Sequence, residues 1–293
     1  MKYEFEIDGH ELEYSFSFSE NEILFEELKM DDKLIIERVR KAAKLSLGKE
    51  STFHEVDSSI LFLKRVYFNT KFEGNEVLQH WFEFLKGSVW INAYSRLIVN
   101  FNGESLLFEK YFERNGEELI NKFFKSNDFK YAIRYAKEVE KNGIKFVLSE
   151  DERKTVFFER EGIETPIPFF LESTGNKTLI NILPAILHAV ENGGLLIIDE
   201  FSSGFHNKLE ELIVRYIMEN SSNTQLFFVS HSTNLLTNAL LRPDQIYSVE
   251  MMGGEGSVLN RFSDEQPRVA QNLEKMYLSG VFGGIPEYGI DKG

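Results

Sequence analysis

The chain contains no cysteine. Disulfides, thiolate zinc sites and cysteine nucleophiles are therefore excluded, and the composition suits a reducing compartment. Basic residues fall short of acidic ones, 33 Lys and Arg against 47 Asp and Glu, for a formal net charge of −14. General nucleic-acid binding rests on neutralising phosphates, so that deficit excludes a surface basic all over. A local strip survives the argument, because Arg38, Arg40, Lys41, Lys44 and Lys49 fall close together. The competing reading of that strip is a solvated helix or loop face. No uncharged apolar run reaches membrane-spanning length, and Met1-Lys2-Tyr3-Glu4 is not followed by a signal-peptide core. The expected location is the cytoplasm, with no membrane partner. Fixed-period repeats and low-complexity stretches are missing too.

What is present suits a globular protein. At 293 residues, 42% hydrophobic and 27% charged, the chain can bury the core of one large domain or two modest ones. Phe is abundant, with 27 residues spread along the whole length. That distribution suits core packing better than a single exposed partner surface.

The hydrophobic pattern divides the chain into three parts. Over residues 3–40, apolar and polar side chains alternate: Tyr3, Phe5 and Ile7, then Leu12, Tyr14, Phe16 and Phe18, then Ile23, Phe25 and Leu28, then Leu34, Ile36 and Val39. Asp8-Gly9, Ser19-Glu20-Asn21 and Met30-Asp31-Asp32 punctuate the runs, so this part reads as an antiparallel meander of about four strands. It is assigned to a β lobe over 1–50. From 51 to 145 the period moves toward helix, with Val77, His80, Trp81, Phe84 and Leu85, and then Leu119, Ile120, Phe123 and Phe124. A further helix is expected to carry Phe129, Ile133, Ala136 and Val139, capped at Asn127 or Asp128 and stopped near Gly143. This part reads as an inserted helical lobe.

Residues 146–293 read as an α/β core. Phe146–Leu148 and Thr155–Phe158 look extended. A stripe of Leu179, Ile182, Leu183, Ile186, Leu187 and Val190 marks a helix with Pro184 inside it, expected to kink there. Leu195–Ile198 is a fully apolar strand of the kind buried in parallel sheets. A helix through Leu209, Leu212, Ile213, Tyr216 and Ile217 follows, and then strands at Gln225–Val229 and Ile246–Val249. The alternation predicts a mostly parallel, doubly wound core sheet.

The chemistry concentrates at strand ends in this last part. The apolar strand at 195–198 runs into Asp199-Glu200. Parallel sheets present the C-terminal ends of their strands to the ligand crevice, where two carboxylates can share phosphoryl transfer. Asp199 can hold Mg²⁺ through water, and Glu200 can orient or activate the attacking water. Apolar strands also end in acidic residues without any such role. Downstream, Phe227-Phe228-Val229 runs into Ser230-His231, which strand order brings to the same crevice, within reach of a terminal phosphate. Upstream, Glu172-Ser173-Thr174-Gly175 opens the long helix, either as an anion-binding helix end or as a simple cap.

In order and approximate spacing, Ser173, Asp199-Glu200 and His231 resemble the signature, Walker B and switch histidine of ABC-type ATPases. More narrowly, residues 171–177, 195–206, 227–234 and 277–286 are similar to the SMC/OLD-like branch of prokaryotic ABC-type ATPases, many of them in anti-phage defence. The likeness covers about residues 165–286. It implies that Asp199 is the Walker B aspartate and metal residue, with Glu200 and His231 catalytic. Ser173 and Gly175 would touch the γ-phosphate of ATP bound to the opposite subunit. Phe201–His206 would form the D-loop, with Ser203 at the nucleotide. His206 stands where ABC transporters usually have Asp, and Thr174 where many relatives have Gly. The cofactors implied are ATP and Mg²⁺. The partners implied are a second copy arranged head to tail or a chain supplying the P-loop, an effector such as a nuclease, and nucleic acid.

One component is missing. No Gly-x-x-x-x-Gly-Lys-Ser/Thr occurs, and Gly175-Asn176-Lys177-Thr178 lacks the spaced glycines. In the resembling family that loop precedes an antiparallel lobe like residues 3–40. The strand, P-loop and first helix are expected to be cut off or to reside on another polypeptide. P-loop amides and lysine supply most of the phosphate grip, so the chain alone is expected to bind ATP very weakly. The alternative is a catalytically silent ATPase-fold scaffold that binds a protein partner or nucleic acid. A carboxylate-metal nuclease is a third reading, weakened because Glu250, Glu255, Asp264 and Glu265 are scattered rather than clustered.

Overall fold

A computed structural model describes residues 1–100, 108–147, 153–237 and 239–285. The chain forms two compact units, 1–87 and 88–293.

The first unit is a six-stranded antiparallel meander in sequential order: β1 (Lys2–Ile7), β2 (His10–Phe18), β3 (Ile23–Met30), β4 (Lys33–Val39), β5 (Ala42–Leu47) and β6 (Lys49–Phe53). Helices α1 (Phe62–Thr70) and α2 (Glu76–Gly87) complete it. The expected hairpin turns are present, and Asp8-Gly9 and Asp31-Asp32 take the positive φ that two-residue hairpins demand. Two strands more than expected follow β4. The segment Arg38–Lys49, read as a solvated helix or loop face, belongs to β4, β5 and β6. Arg40, Lys41, Lys44 and Lys49 are exposed, whereas Arg38 is fully buried.

Arg38 explains that difference. Its guanidinium donates to the carbonyls of Arg40, Asp57 and Ile60 at 2.6, 2.6 and 2.7 Å, and lies 3.6 Å from Glu26. Glu26, equally buried, accepts from the Phe62 and Leu63 amides at 2.6 and 2.7 Å and from the Tyr14 hydroxyl at 2.9 Å. Leu61, the N-cap of α1, makes no side-chain cap bond. The sheet carboxylate supplies that cap instead, satisfying two amides the helix leaves unpaired. Burial pushes the Tyr14 hydroxyl pKa up, and the Glu26 charge beside it adds to the shift. Trp81 of α2 seats edge-on against Phe5 and Tyr14 of the sheet.

The second unit opens with the hairpin β7 (Val89–Asn92) and β8 (Leu97–Asn100), then α3 (Phe108–Asn115) and α4 (Glu118–Ser126). Next come β9 (Tyr131–Ala136), β10 (Glu138–Lys141), β11 (Ile144–Val147), β12 (Thr155–Arg160) and β13 (Ile167–Pro168). The helix expected over 129–139 is thus two strands. Phe129, Ile133, Ala136 and Val139 do follow one another at helical steps of four, three and three. Tyr131, Ile133 and Tyr135 also alternate, however, and pairing with β12 satisfies that period of two. Leu148 lies outside the described residues.

Helix α5 (Thr174–Asn192) runs unbroken through Pro184 and is buried on nearly every side from Thr178 to Leu187. After Gly193 come β14 (Gly194–Asp199), α6 (Asn207–Asn220) and β15 (Thr224–Phe228). The core sheet has the order β15-β14-β7-β8, with β14 parallel to both neighbours and β8 antiparallel to β7. Strand β7 therefore sits inside the core sheet although it precedes β14 by a hundred residues in the chain. The β14–α6–β15 passage is the parallel crossover anticipated from the pattern.

The strand expected at Ile246–Val249 is β16 (Tyr247–Met251). It pairs with β17 (Ser257–Arg261) in a separate hairpin, followed by α7 (Leu273–Leu278). The segment after α7 crosses that hairpin. Side chains at Gly283 and Gly284 would run into Glu250, Asn260 and the Val249 carbonyl, and both glycines hold positive φ. Ser248 donates to the Phe282 carbonyl at 2.5 Å, and the Phe282 ring stacks on Phe262. Glu250 is thus a strand residue beside this crossing. Among the described residues, no helix is long and apolar enough to cross a membrane.

Candidate functional site

Strand β14 carries its buried side chains, Leu196 and Ile198, into the core and delivers Asp199 at its C-terminal end. Parallel register sets Asp199 beside Asn92 of β7, whose side-chain amide donates to Asp199 Oδ2 at 3.1 Å. The Glu200 amide donates to Asp199 Oδ1 at 3.0 Å. Both oxygens are oriented, yet each keeps acceptor capacity.

Glu200 turns the chain. Its φ is +54°, in the left-handed region that costs a non-glycine residue about 1 kcal/mol or more. The turn is fastened by Phe201 N–H to the Val229 carbonyl at 2.9 Å and by Ser203 N–H to the Glu200 carbonyl at 2.9 Å. On the neighbouring strand, Val229 N–H donates to Ile198 O, and the chain continues to His231. His231 N–H donates to Ser202 Oγ at 3.2 Å, and its Nε2 stands 3.9 Å from Glu200 Oε2. That separation is an electrostatic approach rather than a hydrogen bond. The His231 side chain is 82% exposed and that of Glu200 42%. Asp199, Glu200 and His231 thus share one open mouth at the ends of two adjacent parallel strands.

Ser173 and Gly175 sit at the N-terminus of α5. Ser173 is the N-cap, with Oγ accepting from Asn176 N–H at 3.3 Å, so the simple-cap reading describes a bond it makes. Gly175 has a packing reason to be glycine, since a Cβ there would lie 2.8 Å from the Gly204 carbonyl oxygen. Gly204, with φ of +84°, lies in turn against Thr174 and Thr178. The 201–206 loop therefore touches both the acidic strand end and the start of α5. His206 caps α6, its Nδ1 accepting from Lys208 N–H at 3.2 Å.

Three contributors have no role legible in the sequence. Asn92 ends a short strand more than a hundred residues away, and only the parallel register exposes its role. Glu172 accepts from Arg160 at 2.5 Å, Asn176 at 2.7 Å and Ser173 N–H at 2.9 Å. Burial works against its charge, but the bonds from Arg160, Asn176 and Ser173 outweigh it and hold the carboxyl below its ordinary value. Glu210, buried in the first turn of α6, has its carboxyl pushed upward by burial, offset by the Ser232 hydroxyl of the His231 loop and by His206.

Mg²⁺ with a nucleotide fits this donor set. Among the described residues there is no cluster of three or more metal-ligating side chains. A single oriented carboxylate is what a hydrated Mg²⁺ shared with phosphates requires of the protein.

The mixed α/β fold is that of AAA-type ATPase domains. The family described as "AAA domain, putative AbiEii toxin, Type IV TA system" matches residues 2–237, and the chain belongs to it. Among solved structures, the SMC head domain from Thermotoga maritima aligns over 86% of this chain and 73% of its own, with 15% identity and a TM-score of 0.37. No curated protein matches.

Proposed function

We propose that the chain is an ATP-binding and hydrolysing subunit of the SMC/OLD-like kind, a conformational switch or sensor in a prokaryotic defence system. It works when a phosphate-binding loop completes its site. The observation that carries the reading is the meeting of Asp199, Glu200 and His231 at one strand-end mouth. Asp199, aimed by Asn92, would hold a water of the metal. Bound Mg²⁺ would offset charge on the phosphate oxygens. Glu200 would orient water for attack on the terminal phosphate, and His231 would donate to that phosphate. In a head-to-tail dimer, Ser173 and the α5 N-terminus would face nucleotide held by the other copy.

The test is ATP binding and turnover by the chain, alone and with a loop-bearing partner. Negligible turnover alone, and turnover in the complex that Glu200→Gln abolishes, is the expected result. Saturable hydrolysis by the chain alone, lost in Glu200→Gln, would overturn the requirement for a partner. One observation favours a silent scaffold instead: the sequence has no Gly-x-x-x-x-Gly-Lys-Ser/Thr. A complex without turnover would select that reading.

A further inference from the structure

Helix α1 of the first unit departs from the charge of the rest of the chain. Its sequence, Phe62–Thr70, contains no Asp or Glu, whereas each of α2 to α7 contains at least one. Lys64 and Arg65 are exposed on it, and the exposed Lys71 caps its C-terminus in the left-handed conformation. The Lys71 ammonium stands over the Phe68 ring, 4.7 Å from its centroid. In a chain of net charge −14, this helix presents a local cationic surface.

A cavity of about 360 Å³ lies beside those cations. Val56, Ile60, Phe62 and Phe68 give it an almost wholly apolar lining, with Lys64 and Arg65 beside them. Asp57 is the one acid that lines it, and its Oδ1 is taken by the Ser59 amide and hydroxyl at 2.8 and 2.7 Å. Ile60 and Phe68 are left 47% and 53% exposed, whereas Phe62 is buried. The buried pair Glu26 and Arg38 pins both walls. Arg38 holds the carbonyls of Asp57 and Ile60 on the loop side, and Glu26 holds the Phe62 and Leu63 amides on the helix side. Ile23 N–H adds a bond to the Ser58 carbonyl at 2.7 Å. Walls fixed in this way need little ordering when a ligand arrives, which preserves affinity.

We infer that this cavity docks an acidic linear segment of a partner protein, with one large apolar side chain seated between Ile60 and Phe68 and carboxylates on either side of it facing Lys64, Arg65 and Lys71. A pinned apolar concavity suits a single anchor side chain, the kind of contact that carries most of the energy of a small interface. Charge complementarity selects the flanking acids and speeds encounter. Nucleic acid is disfavoured, because its affinity rests on neutralising a run of phosphates and the cations here are few. An anionic bilayer would meet repulsion from the acidic remainder of the chain. The site does not depend on the nucleotide reading above.

The test uses the full 293-residue chain as bait for a random linear peptide library, followed by fluorescence polarisation with the enriched peptides. Enriched sequences should carry a Phe, Trp or Leu with Asp or Glu on both sides. Phe68→Ala removes a wall and Arg65→Glu reverses a charge beside it, and each should weaken binding about tenfold or more. Both residues are exposed, so circular dichroism and the urea midpoint should stay unchanged. Enriched peptides whose anchor is replaced by Ala, or whose acids are replaced by Lys, should not bind, and added salt should weaken those that do. Three results would each overturn the proposal: no enriched peptide, enriched peptides lacking the acids or the anchor, or enriched peptides that bind both variants as well as the parent chain. Binding of a single-stranded oligonucleotide or of phosphatidylserine vesicles that Phe68→Ala removes, with no enriched peptide, would overturn it in favour of that other partner.

Discussion

Both units build charged groups into regular elements, with opposite outcomes. In the meander unit, Glu26 and Arg38 are fully buried and their hydrogen-bonding capacity is taken up by backbone groups and Tyr14. Nothing remains for a ligand. At the mouth of β14 and β15, Asp199 is oriented but unsaturated, and Glu200 and His231 approach each other in the open without a hydrogen bond. The contrast separates charge used for folding from charge held in reserve for binding. Buried charge must be matched because desolvation is costly, whereas an exposed group can stay unmatched at little cost.

The sharpest way to break the comparison is Glu26→Ala. It strands the buried Arg38 and two amides at the start of α1. A loss of about 3–5 kcal/mol is expected, enough to unfold the meander unit at moderate urea. If urea unfolding shows less than about 1 kcal/mol, the network is not structural in the sense argued.

Gly175→Ala comes next. The new Cβ would press on the Gly204 carbonyl, and backbone must shift to relieve it. About 1–3 kcal/mol should be lost, read as a lower urea midpoint without a change in slope.

Glu172→Gln should cost about 1.5–3 kcal/mol at neutral pH, the range for hydrogen bonds to a charged group. Its carboxyl lies below its unfolded value in the folded protein. The stabilisation is therefore complete above the unfolded carboxylate pKa and is lost as pH falls through the folded value. Wild type and variant should differ by a constant amount from pH 7 to about 5.5 and converge below about pH 4. Divergence at low pH would contradict the assignment.

The smallest effect belongs to the open mouth. Glu200→Gln and His231→Ala should each change stability by less than about 0.5 kcal/mol, because the two side chains are solvent-exposed and face each other at 3.9 Å without a hydrogen bond. A thermal-melt loss comparable to that of Glu172→Gln would move them into the structural class and erase the contrast.

Local pattern made much of this legible. The alternation from Tyr3 to Val39 with Asp-Gly and Asp-Asp turns specifies hairpins, because pleat and turn chemistry act over a few residues. The apolar run into Asp199-Glu200 and the strand into Ser230-His231 were readable for the same reason. The reading failed where two periods coexist, as over 129–139. It also failed where a basic composition hid one inward-facing residue, Arg38, whose partners lie on β3 and in the loop before α1.

The sequence by itself determined the meander, the long buried helix, the acidic strand end and the order in which Ser173, the two acids and His231 occur. These follow from side-chain period and turn residues, which need no distant partner. Only the tertiary structure decided that β7 lies beside β14, that Asn92 aims Asp199 and that Gly175 makes room for Gly204. Each of those depends on which strands pair across a hundred residues of chain, and pairing is settled by the packing of the whole sheet rather than by any local run.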